Sequence, residues 1–169
     1  MDSGRKVKIM ARISDMKMKY RIFMKTYKYR SVAWRPGTSL DKPLRESRIA
    51  LVSTAALQGP GQQDFDLDLP GGDPSYRILS AGTYLGSLRA AHPSGSFDHS
   101  GIDSDINLAF PLDRLRELAG EGYIGSFASR HFSFMGAIVS PEKLIEETAP
   151  EVAELLIEDR ADGVLLVPV

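Results

Sequence analysis

The residues able to move protons or bind a cation gather in one part of the chain. His92, Asp98, His99, Asp103, Asp105 and Asn107 lie close together, and His131 follows. Imidazole exchanges a proton near neutral pH, and a carboxylate can pair a cationic nitrogen. Asp and Asn also bond to backbone in tight turns and at helix starts, which is the competing reading for Asp103 and Asp105. A metal site at His92, Asp98 and His99 has no recognised ligand spacing, so no metal is expected. His99 and His131 are expected at the surface. Asp64, Asp66 and Asp68 alternate as in a calcium loop, but the Gly and Glu positions of such a loop do not match. A solvated turn is the preferred reading there.

The elements that must carry these residues follow from pattern. In Asp103–Gly125, Ile106, Leu108 and Phe110 alternate with Asn107 and Ala109, the period of a half-buried strand. Pro111 suits a first helical position, and Leu112, Leu115, Leu118 and Ala119 recur at helical spacing. Gly120 and Gly122 supply the stop. The unit therefore reads as a strand running into a helix, fed by the polar loop.

Upstream, Arg48–Thr54 is a near-continuous apolar run, expected as a strand buried on both faces. Gln58–Gly72 reads as a loop, Ser75–Ser80 as a short strand and Tyr84–Ala91 as a helical turn. Ile124–Phe134 reads as one further strand. Ser140-Pro141 opens a last helix, and Pro150 within it predicts a kink or a restart with Thr148 and Glu151 at capping-box spacing. Val164–Val169 is expected as a second strand buried on both faces. This alternation gives an α/β class: a mostly parallel sheet flanked by helices, Rossmann-like, and incomplete at its C-terminus. The incompleteness follows because a buried parallel strand normally hands on to a crossover helix.

The domain reading is a basic arm over Met1–Arg30, an extended lead-in over Ser31–Ser47, and an α/β body over Arg48–Val169. The arm holds ten Lys or Arg against Asp2 and Asp15, although the whole chain carries a net charge of -1. Tyr20, Tyr27 and Tyr29 would suit base stacking, but no nucleic-acid module accompanies them. Docking of the arm on the body or on a partner is the preferred reading. The chain has 169 residues, 43% hydrophobic and 25% charged, with no cysteine, which excludes disulfides and thiolate chemistry within it. It shows no secretory signal and no membrane span, and a cytoplasmic protein is expected. No glycine-rich nucleotide loop follows a strand.

Several stretches together resemble the selenoprotein B family of the glycine, betaine, sarcosine and D-proline reductases, nearest its D-proline reductase-like branch. They are Lys42–Thr54, Gly72–Ile78, His92 with Phe97-Asp98, Asp105–Leu115, Glu121–Gly125, Phe132–Gly136 and Ala161–Leu166. The resemblance implies reductive cleavage of a C–N bond in an amine or amino acid, with a selenocysteine selenolate as nucleophile. It implies no cofactor within this chain, a selenocysteine directly after the strand ending at Val169, and a companion reductase subunit or a thiol or selenol electron donor. UGA encodes selenocysteine and otherwise terminates, so translation only as far as that codon is the expected reason for the ending. On this reading His92 and Asp98 are the catalytic candidates, and Asp105, Asn107 and Thr54 the substrate-binding ones. The alternatives are a cysteine-free binding or assembly subunit, and anion binding through the basic arm.

Overall fold

The computed structural model describes residues 17–26, 37–91 and 100–169. The chain divides into two compact units, Met1–Thr38 and Ser39–Val169. In the first, helix α1 (Met18–Thr26) carries Lys19, Arg21 and Lys25, with Met18 and Ile22 exposed. Tyr27 and Tyr29, most of the arm and the first part of the lead-in lie outside the described residues.

The second unit is built on β1 (Arg48–Ser53), whose apolar run places it inside the sheet. The chain continues through β2 (Leu57–Gln58), β3 (Tyr76–Ser80) and β4 (Arg89–Ala90). Then follow helices α2 (Ser100–Ser104) and α3 (Leu112–Gly120), strands β5 (Ser126–Phe127) and β6 (Arg130–Phe134), helix α4 (Ala149–Glu158) and β7 (Gly163–Val167). β5, β6 and β7 all pair with β1 in parallel, while β3 lies antiparallel on β6. The short ribbon of β2 and β4 is antiparallel and separate from the five-stranded sheet. The fold is thus α/β with a mostly parallel sheet.

The two faces of β1 feed two cores. Ile49 and Leu51 pack with Phe110 and with Leu112 and Leu115 of α3. Val52 faces the other way, toward Phe132, Phe134 and the α4 residues Val152, Leu155 and Leu156. Each fully buried side chain of the size of Leu51 or Phe110 stabilises by about 2 kcal/mol. A helix on each face and a strand on each edge account for the burial of β1.

Four expectations are corrected. Asp105–Phe110 is no strand: Ile106–Leu108 is a 3-10 turn. The Asp105 carboxylate accepts the Asn107 N–H, which curls the chain, and Leu108 is left exposed while Phe110 turns inward. Ile124–Phe134 is two strands, not one, with a break at Ala128-Ser129. The Thr148–Glu151 capping box does not form, because the Thr148 hydroxyl donates to Pro74 O at 2.8 Å. The chain before Pro150 absorbs the proline as a π-helical turn over Leu144–Thr148. Finally, β7 is not buried on both faces. Val164, Leu165 and Leu166 are 40%, 46% and 67% exposed, which sets β7 apart from β1 despite the similar sequence. Among the described residues its one ladder partner is β1, and α4 turns its apolar side chains to β6 instead.

Smaller differences share one cause, side chains bonding locally to backbone. Pro111 sits at the cap rather than inside α3, since Asn107 Oδ1 accepts the N–H of Asp113 in the first turn. Tyr84–Ala91 splits into a 3-10 turn over Leu85–Ser87 and the strand β4. The stop at Gly122 holds: its φ is +77, its N–H bonds to Ala119 O, and the Tyr123 N–H bonds back to Leu118 O.

Candidate functional site

The polar groups of Asp105–Asp113 form a chain of contacts. Asp105 Oδ1 accepts from both the backbone N and the side-chain Nδ2 of Asn107, at 2.9 and 3.1 Å. Asn107 Nδ2 also donates to Asp113 Oδ2, and its Oδ1 accepts from Asp113 N. Arg116 Nη1 pairs with Asp113 Oδ1, and its Nη2 reaches the carbonyls of Ala81 and Thr83 beyond β3. The two hydrogen bonds from Asn107 hold the Asp105 carboxyl below its ordinary value, so it stays ionised.

Beside this network lies a cavity of about 460 Å³. Its walls include Leu88, Arg89, Ala90, Ile102, Asp103 and Asp105. Ile106 and Ala90 belong to the wall and also pack on the core that holds β1. The Arg89-Ala90 wall pairs with Leu57-Gln58, the segment that follows the carboxyl end of β1, so this wall lies toward that end. That is where ligands bind in open α/β sheets. Asp103 and Asp105 bring two carboxylates to it, and Arg89 one cation.

Thr54 stands where β1 ends. Its N–H donates to Val167 O at 3.1 Å, and its Oγ1 accepts the Val169 N–H at 2.9 Å. Next to it, Ser53 Oγ donates to Ala109 O, tying the end of β1 to the turn before α3. Of the expected site residues, the structure therefore brings Asp103 and Asp105 to the cavity. Asn107 braces the turn behind them, and Thr54 holds the chain at Val169. His92, Asp98 and His99 lie outside the described residues. Among the described residues, no group of three or more His, Asp or Glu could hold a metal ion.

His131 is corrected from surface to core: it is 0% exposed. The Leu51 N–H of β1 is taken by a side chain of β6, with His131 Nδ1 accepting it at 3.1 Å. Nε2 has no hydrogen-bond partner, and the ring stands edge-on to Phe110. Burial, aided by the nearby Arg116 charge, pushes the imidazole pKa down from 6.5 to about 4. Nothing in the local sequence marks this, since Arg130-His131 reads as a polar pair.

A mostly parallel sheet flanked by helices, with a cavity walled in part by Asp103 and Asp105, places the chain in the α/β class. Within that class the chain belongs to the glycine/sarcosine/betaine reductase selenoprotein B family, whose model matches residues 75–169. It is 35% identical over 133 residues to the D-proline reductase subunit gamma of Acetoanaerobium sticklandii, covering 79% of this chain and 52% of the relative. The chain thus spans about half the length of that relative. No solved structure matches it. The Asp105–Leu115 and Glu121–Gly125 stretches that carry the resemblance are the ones that build the braced turn and its helix.

Proposed function

We propose that this chain is part of a selenocysteine-dependent reductase subunit that cleaves a C–N bond in an amine or amino acid. The family match supports the proposal, and the sequence holds no cysteine to serve as the redox residue. That residue is assigned to the sequence following Val169, at the carboxyl end of β7. The position fits. Val169 packs on the core that also holds Ile106 and Ala90 of the cavity wall. A selenolate there supplies the nucleophile. Cleavage to an amine and a C–H bond takes two electrons and two protons, the electrons from a thiol or selenol donor on a companion subunit.

The residues of this chain bind the substrate and handle its protons. The cavity takes the small amine or amino acid, with the ionised Asp105 and its neighbour Asp103 opposite the cationic nitrogen. Asn107 contributes by fixing Asp105. His92 and Asp98 are assigned the proton for the leaving amine. The Thr54 hydroxyl already holds the Val169 backbone and is left out of the substrate contacts. The reaction is placed in the cytoplasm.

The bases after the Val169 codon test this reading. UGA followed by a selenocysteine insertion hairpin and an in-frame coding sequence is the expected result. UAA or UAG with no downstream frame would remove the catalytic reading. A non-catalytic assembly subunit would then stand, favoured by the exposed apolar face of β7.

A further inference from the structure

We propose that Thr54 is a positioning residue, whose hydroxyl sets the path of the chain at Val169 and hence the place of the residue that follows. The inference rests on the reading that the next residue carries the nucleophile.

β1 and β7 run in register from Ile49–Gly163 to Ser53–Val167. The Thr54 N–H to Val167 O bond extends this ladder by one more rung. A regular parallel ladder would next send the Val169 N–H to the backbone carbonyl of Thr54. It goes to the Thr54 side chain instead, at 2.9 Å. The same hydroxyl lies 3.5 Å from Val169 O. Pro168 has no N–H and fixes its own φ, so it cannot anchor this segment by donating to a neighbour. The hydroxyl is thus the anchor that replaces the backbone rung. It holds Val169 with its side chain against the core shared with Ala90 and Ile106. Both of those residues line the cavity. A chain leaving Val169 is therefore released from the sheet at a defined point, with the Val169 side chain on the core that also carries Ala90 and Ile106. Valine at position 54 would keep the shape and the strand propensity but offer no acceptor.

The test compares Thr54→Val with Thr54→Ser in the encoded polypeptide, whatever its length. Amide exchange at Val169 should speed up about tenfold in Thr54→Val and stay unchanged in Thr54→Ser, with exchange in β1 and β6 unaffected. Equal protection in all three proteins would overturn the anchor. The second readout is the pH profile of alkylation at the selenol following Val169, or at a cysteine placed there. Thr54→Val should shift its midpoint or rate, and Thr54→Ser should not. An unchanged profile alongside lost protection would leave a bare structural contact and refute the positioning role. A genuine terminator in the gene would end the catalytic reading but not the exchange measurement, so the two failures are distinguishable.

Discussion

At the scale of single residues, His131 carries the clearest physical consequence. Its buried ring takes the Leu51 N–H on Nδ1, so it must be neutral in the folded chain. Its pKa is near 4 there against 6.5 when unfolded, so between these values the unfolded state binds more protons. Stability is then full above about pH 6.5, falls as pH drops toward about 4, and levels off below. The loss is on the order of 3 kcal/mol across that window. Asp159, held ionised by Arg130, and Asp162, held by Lys42, add their own loss only below their ordinary 3.8. Denaturant midpoints measured from pH 7 to 4 should show the histidine slope, and His131→Gln should flatten it at some cost in stability at pH 7. A wild-type midpoint independent of pH in that range would contradict the buried neutral imidazole. Asp105 separates function from folding. Asp105→Asn keeps an acceptor for Asn107 but removes the charge, so in the active reductase KM for a cationic substrate should rise about tenfold or more while Tm moves little. Unchanged KM would take Asp105 out of the substrate contacts. Gly125 is constrained by space: a Cβ there would lie 2.6 Å from the backbone carbon of Glu46. Gly125→Ala must therefore separate the lead-in from β5, and a loss of about 1–3 kcal/mol should appear as a lower Tm.

At the scale of elements, Asn107 joins the turn to α3. It is bonded at once to Asp105, to Asp113 and to the first turn of the helix. Asn107→Ala should cost about 1 kcal/mol, as a lost helix cap does, and lower Tm by about 2–4 °C. A Tm equal to wild type would show that water replaces the cap. The same stretch shows what pattern could and could not reveal. β1 was legible because a continuous apolar run with a helix on either face admits few alternatives. α3 was legible because its leucines keep one stripe and Gly122 ends it. Ile106, Leu108 and Phe110 alternate just as convincingly, yet form a 3-10 turn, because one carboxylate bonded two residues ahead outweighs a three-residue period. Ile124–Phe134 hid its break for a similar reason, as a side chain, His131, takes the Leu51 N–H of β1. Of the candidate site, the grouping of Asp103, Asp105 and Asn107 in one stretch was legible, while His92 and Asp98 lie outside the described residues. The use of Thr54 as an anchor was not legible, since that depends on β7, which lies more than a hundred positions along the chain.

At the scale of the whole molecule, β7 decides how the body behaves alone. Val164, Leu165 and Leu166 point to both faces of the sheet and stay largely exposed, and the outer edge of β7 is without a ladder partner among the described residues. No helix among the described residues is long and apolar enough to cross a membrane. A flat apolar edge of this kind pairs with whatever strand it meets. The 169-residue chain by itself should associate as its concentration rises, seen as growing light scattering above micromolar levels. Leu166→Lys puts a charge at the most exposed of the three positions, where little core packing is lost, and should slow that association without lowering Tm. A longer product that covers β7 should stay dispersed without the substitution. If the 169-residue wild type stays monomeric and unfolds in one cooperative transition, then the exposed strand is not an adhesive surface, and the body is sufficient without further cover.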